Sequence, residues 1–142
     1  MKKIINFMVL FLLISCDNSS DSQISKMIDK ECVSNDCEIV MSNIITEDWD
    51  FMYIFKTTIS LDEINNRLGF EYPYFEDIAN RVIFVKNNKI IYHEDEFPNS
   101  EKTKKGELIF NIGDVGFLKI PKEKAIFKVS KEDSYFKLKI KN

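Results

Sequence analysis

From Ile24 onward the apolar positions fall into two periods. Ile24, Met27, Ile28 and Cys32 recur at helical spacing, which predicts a short amphipathic helix over about 22–31. Leu61, Ile64 and Leu68 make a second helical stripe. Ser60, with Glu63 three residues on, reads as a capping box, and Gly69 supplies the stop, so this helix runs from Leu61 to Leu68. The remaining apolar runs have period two or are apolar throughout. Residues 38–41 form a short strand. Trp49, Phe51, Tyr53 and Phe55 line one face of a longer one, and Met52 and Ile54 line the other. Val82 to Val85 is apolar on both faces as well. Such strands are central and covered on both sides. Asn87 and Asn88, both tolerant of positive φ, join 81–86 to 89–93 as a hairpin. Leu108, Phe110 and Ile112 alternate with polar residues, as do Ala125, Phe127 and Val129, and Phe136, Leu138 and Ile140. The last two runs pair across 131–134 and leave Tyr135, Lys137, Lys139 and Lys141 facing out, as on an edge or a solvated face. Residues 94–106 are polar, contain Pro98 and read as a loop. The expected fold class is α+β: a mostly antiparallel sheet of about six strands with two short helices, in a single domain.

The first sixteen residues follow another rule. Lys2 and Lys3 precede an apolar run from Ile4 to Ile14, broken only by Asn6, and Ser15 and Cys16 close it. A basic start, a short apolar run and a small residue at its end make a secretory leader. As a helix the run would span about 16 Å against roughly 30 Å of hydrocarbon, too short to cross a bilayer. Leu13-Ile14-Ser15-Cys16 resembles the lipobox of bacterial lipoproteins. The resemblance implies that Cys16 is acylated and becomes the mature N-terminus; an ordinary leader with a coincidental cysteine is the alternative. A single acyl chain binds a membrane marginally, whereas a diacylglyceryl cysteine carries at least two and anchors stably. The expected organisation is a leader over 1–15, a lipidated cysteine and flexible tether over 16–23, and a globular α+β domain over 24–142. In enteric-type envelopes an aspartate after the lipidated cysteine, here Asp17, resembles an inner-membrane retention signal. Other lineages read that position differently, so inner membrane, outer membrane and cell surface all remain open.

Losing Lys2 and Lys3 with the leader takes the formal charge from −3 to −5. An acidic domain lacks the basic footprint that nucleic acid requires, and suits a basic protein better. Twelve phenylalanines within an aromatic content of 13% supply a core and exclude disorder. With Cys16 assigned to lipid, Cys32 and Cys37 form an even pair in an oxidising compartment. Ser34, Asn35 and Asp36 between them favour a turn that brings the two within bonding range. A disulfide is the expected state, with free half-buried thiols the alternative. Two cysteines do not complete a zinc site.

Catalytic signatures are absent. No Gly-rich phosphate loop and no nucleophile elbow occurs, and His93 is the sole histidine, so neither a poly-histidine metal site nor an HExxH motif exists. No residue is assigned as catalytic or metal-ligating, and no cofactor is implied. Alternation separates His93 and Asp95 from Glu94 and Glu96, so this acidic run reads as a solvated strand end. The run 47–50 reads as a charged turn, and Lys102, Lys104 and Lys105 as a solvated loop. The aromatic connection Phe70-Glu71-Tyr72-Pro73-Tyr74-Phe75-Glu76-Asp77 carries more rings than a loop needs. Phe70 and Phe75 are expected to cap the core and Tyr72 and Tyr74 to be exposed. Tyr72, Tyr74 and Phe75 are the candidate interface.

Trp49-Asp50, the mixed strand after it, Ser60 to Glu63, Leu68-Gly69 and 82–86 together resemble a group of small bacterial secreted proteins and lipoproteins of no assigned activity, over about residues 38–92. The resemblance implies a shared α+β domain and transfers no functional residue. The expected function is a non-enzymatic protein-binding module of the cell envelope. It resembles immunity proteins against envelope toxins and lysozyme inhibitors in size and address. A carboxylate-dependent envelope hydrolase and a structural subunit of an envelope assembly complex are the alternatives.

Overall fold

The structure, a computed structural model, describes residues 22–98 and 105–141. The leader, Cys16, most of the tether, and Lys102 and Lys104 lie outside the described residues.

The chain runs α1 (Gln23–Glu31), β1 (Asp36–Val40), α2 (Met41–Ile44), β2 (Phe51–Phe55), α3 (Leu61–Leu68), β3 (Asn80–Lys86), β4 (Lys89–Glu96), β5 (Glu107–Asn111), β6 (Phe117–Pro121), β7 (Ile126–Lys131) and β8 (Tyr135–Ile140), with a 3₁₀ turn at Lys122–Lys124. This is the expected α+β class, with eight strands in two four-stranded sheets and three short α-helices. The outer sheet has the order β1-β7-β8-β5 and the middle sheet β4-β3-β2-β6. Every pairing is antiparallel except β5 with β8.

Two cores explain the layering. Between the sheets, Met52, Ile54 and Phe84 of the middle sheet meet Phe127, Val129 and Leu138 of the outer one, and α1 adds Ile24 and Ile28. On the far side of the middle sheet, Tyr53, Phe55, Ile83 and Val85 pack under Ile64 and Leu68 of α3 and under Tyr72. β2 and β3 thus bury both faces, as their composition requires. β7 and β8, apolar on one face only, take the outer sheet.

Local signals act as their chemistry dictates. Ser22 caps α1 by accepting from Ser25 N at 2.9 Å, and Ser60 caps α3 by accepting from Glu63 N at 3.3 Å. The capping box is half made: the Glu63 carboxylate reaches forward to Arg67 Nη2 at 3.1 Å. Asn87 and Asn88 take φ of 48° and 58°, the tight hairpin turn whose twist matches its strands.

Four expectations change. Trp49 precedes β2 and turns to the inter-sheet core, edge-on to Phe84 at 4.9 Å, while its indole N–H donates to Ile45 O at 3.1 Å. Met41 leaves the strand to open α2. β4 continues through Glu96, so the start of the expected loop is strand. β6 adds a strand at the edge of the middle sheet. It ends on Pro121, which only an edge tolerates, and its mixed lining gives no clean alternation.

Gly69 holds φ of 80° at the C-terminus of α3, its N–H donating to Asn65 O at 2.8 Å. A Cβ there would meet nothing within 4 Å, so its cost is backbone strain alone. Gly69→Ala is expected to lower stability in urea unfolding by about 1 kcal/mol, and Gly69→Asn by less, because asparagine tolerates the left-handed region. Equal losses for the two would contradict the backbone origin.

Candidate functional site

The connection 69–79 between α3 and β3 is irregular, so no ladder holds it. Side chains do. Its first anchor is Tyr72 N, which donates to Asn65 Oδ1 on α3 at 2.8 Å. The second is Arg81, at the start of β3. The register Phe55↔Arg81↔Asp95 puts Arg81 on the same face as Ile83 and Val85, within the second core. It is 2% exposed. Its guanidinium donates from Nη2 to the Glu76 carbonyl and lies 3.4 Å from Asp95 Oδ2. The same group sits 4.6 Å from the Phe75 ring centre and 5.5 Å from that of Tyr72. One cation thus clamps three points of the connection against β4.

Around the clamp the groups are interlocked. Tyr72 hydroxyl donates to Asp95 Oδ1 at 3.4 Å and lies 3.4 Å from His93 Nδ1. Tyr74 stacks on His93 with ring centres 4.1 Å apart and 12° between planes. Burial, reinforced by the Asp95 charge, pushes the Tyr72 hydroxyl above its ordinary range, so it stays protonated at neutral pH. Burial also raises the Asp95 carboxyl, with Arg81 and His93 opposing. Arg81 Nε and Nη1 and Asp95 Oδ2 are buried without a hydrogen bond among the described residues. The bonds that the cluster does make run inward, between the loop and β3 and β4. Outward it presents Tyr74, 50% exposed, and Ile78, 66% exposed at φ of 61°.

Of the residues singled out from sequence, Tyr74 is exposed and Phe75 is half-buried against Arg81, as a core cap. Tyr72 is corrected: it is 2% exposed and belongs to the second core. Its ring points inward because Asn65 and Arg81 fix the backbone on either side. The run 93–96 is not a solvated end. Alternation does split it, sending His93 and Asp95 to the clamp and Glu94 and Glu96 to a small cleft at the open end of the sandwich, beside Glu107 and Lys56. There Glu96 Oε2 accepts from Leu108 N at 2.8 Å, tying the sheets together, and Glu94 accepts from the Tyr92 hydroxyl. Asp48 and Asp50 of the charged turn both bind Lys86 at 2.9 Å. That contact holds the Asp48 carboxyl below its usual range. Cys32 and Cys37 sit at disulfide distance, with Cα atoms 5.6 Å apart. Among the described residues no group of three His, Cys, Asp or Glu is placed to hold a metal ion.

Sequence reasoning passed over Arg81 and Ile78, and read Asp95 as part of a solvated strand end. Arg81 carried a usable signal, since it is the one charge in a strand row of Ile83 and Val85, where burial demands a partner.

The raised Asp95 carboxyl has a signed consequence. The folded chain holds this proton where the unfolded chain, near 3.8, has lost it. Its contribution to stability is therefore present below 3.8 and is lost as pH rises through the folded value. Urea unfolding against pH is expected to show the stability of the parent falling relative to Asp95→Asn over that window. A parent that instead gains stability relative to Asp95→Asn as pH rises would mean that pairing with Arg81 outweighs burial. No known protein family, curated protein or solved structure matches this chain.

Proposed function

We propose that this protein is a lipid-anchored, non-enzymatic binding module of the bacterial envelope, and that it engages a basic protein partner through the 70–79 connection. The anchor rests on Leu13-Ile14-Ser15-Cys16. One observation carries the contact surface: Ile78 is exposed, yet its backbone lies at φ of 61°. A β-branched residue in the left-handed region is a true outlier, costing on the order of 1–3 kcal/mol. Burial does not offset that cost, because the side chain is in solvent. Strain kept at an exposed apolar residue, on a loop clamped from beneath, is the signature of a preorganised contact. Tyr74 on the same loop supplies an aromatic anchor of the kind that dominates interfaces. Glu71, Glu76 and Asp77, all exposed, give the surface its preference for a basic partner.

A second reading has one observation behind it. Glu94, Glu96 and Glu107 share the cleft between the sheets, as a carboxylate-dependent hydrolase would need. The Glu96 and Glu94 carboxylates accept from Leu108 N and the Tyr92 hydroxyl, which favours bracing over catalysis.

Ile78→Gly separates contact from stability. Glycine relieves the left-handed strain and removes the apolar side chain, so stability in urea is expected to rise by about 1 kcal/mol. Capture of the partner from envelope extract should fall tenfold or more, as it should for Tyr74→Ala, at the roughly 1.4 kcal/mol per decade of an interface anchor. Unchanged capture by both variants would remove the contact surface. Loss of a measured hydrolytic activity in Glu94→Gln with Glu107→Gln would favour the second reading.

Lipidation has its own readout. Cells fed labelled palmitate are expected to label the parent chain and leave Cys16→Ser unlabelled. Label on both chains, or on neither, sets the anchor aside.

A further inference from the structure

The exposed face of the outer sheet belongs to neither core. β7 and β8 send Phe127, Val129, Phe136 and Leu138 inward and leave Lys128, Lys137 and Lys139 exposed. The register places Lys128 directly opposite Lys139, where Cβ atoms of an antiparallel pair lie about 5 Å apart. Lys137 is two residues from Lys139 on the same face, roughly 7 Å away.

Like charges opposite one another destabilise a sheet, and nothing local relieves these. Glu38 is the register neighbour of Lys128 on β1, but its carboxylate binds Lys141 at 2.7 Å. Among the described residues no carboxylate lies within ion-pair distance of Lys128, Lys137 or Lys139. Guarding an edge does not account for the lysines of β8, because β8 lies between β7 and β5. Half-buried Tyr135 and Ile109 share the face, and Ile109 is the register partner of Lys137. The face therefore carries Lys128, Lys137, Lys139 and Lys141 against Asp36, Glu38 and, at its β5 end, the buried Glu107, in a chain whose net charge is −3.

We propose that this face rests on a bilayer surface bearing anionic headgroups. The inference rests on the lipid-anchor reading above, through the length of the tether. Residues 17–21 separate Cys16 from Ser22, and fully extended the six steps between them reach about 20 Å. A domain held that close always turns some surface toward the headgroups. An acidic domain left free would be repelled, so the anchor makes orientation the only freedom left. The lysine face is the favoured one, and the loop bearing Glu71, Glu76 and Asp77 the disfavoured one. A tyrosine among lysines also suits headgroup depth.

The test uses the full chain carrying Cys16→Ser, so that no acyl chain contributes. Sedimentation with phosphatidylcholine vesicles, with and without phosphatidylglycerol, reads the anion-dependent part of binding. Replacing Lys128, Lys137 and Lys139 together by glutamine is expected to lower that part by about a hundredfold, roughly fivefold per lysine. The same charge removed elsewhere, as Lys30→Gln, Lys89→Gln and Lys124→Gln, should leave most of it. The thermal midpoint of the first triple variant should not fall, since the Lys128–Lys139 repulsion is gone, so lost binding is not lost folding. Binding by that variant equal to the parent overturns the proposal, as does an equal loss in the control variant. Neither outcome touches the anchor, which is read from the palmitate label on Cys16.

Discussion

The middle sheet has two apolar faces, and the rest of the molecule is arranged to cover them. β2 and β3 carry Met52, Ile54 and Phe84 on one side and Tyr53, Phe55 and Ile83 on the other. The outer sheet, with α1 and α2, covers the first side. The second side has only α3, whose eight residues make a cylinder about 12 Å long. Four strands spaced about 4.8 Å apart, each five to eight residues long, are too broad for it. The aromatic connection 69–79 covers what α3 leaves bare. Its rings are there to seal a sheet face before they are there to bind anything.

That demand explains a buried cation. A loop over a core must satisfy its backbone groups without a ladder. Arg81 supplies a donor for the Glu76 carbonyl and a flat group between Tyr72 and Phe75, with Asp95 as counter-charge. A leucine would fill the space and leave the carbonyl unpaired. In stability terms the exchange is no clear gain, since desolvating an ion pair costs about as much as its attraction returns. What the pair does is fix one loop conformation, and with it the positions of Tyr74 and Ile78. The strained backbone at Ile78 persists only because the residues flanking it are over-determined in this way.

How much of this the sequence disclosed follows from range. Signals within four residues were legible: Ser60 and Gly69 bound α3, and Asn87 and Asn88 make the turn. That both faces of β2 and β3 need a cover was legible too, but the expected single sheet of about six strands is two four-stranded sheets, and one of them supplies a cover. Partners set by topology were not. The clamp joins Tyr72, Arg81 and Asp95, which share no local spacing and meet only once β3 and β4 pair. For the same reason Tyr72 was expected outside: a loop has no period from which to read a side-chain direction. The parallel pairing of β5 with β8 was hidden because β8 already had β7 as its hairpin partner. β6 was hidden because an edge strand with a lysine, a proline and partly covered residues has no sharp alternation.

The lysine face and the clamped loop are the two outer faces of one three-layer stack. The lysines of β7 and β8 lie beyond the outer sheet. Tyr74 and Ile78 lie beyond the middle sheet, on the opposite side, and sheets in such a stack pack about 10 Å apart. Charge follows the same axis, with unpaired cations at one end and the carboxylates of Glu71, Glu76 and Asp77 at the other. On the proposed lipid anchor, the domain would tumble against the bilayer, and a dipolar charge distribution would select one orientation from that tumbling. With the lysines on lipid, the clamped loop points away from the membrane, toward whatever approaches through the surrounding space. The free energy that holds the loop rigid and the field that orients the domain then serve one end, because a preorganised contact residue is useful only if it faces its partner.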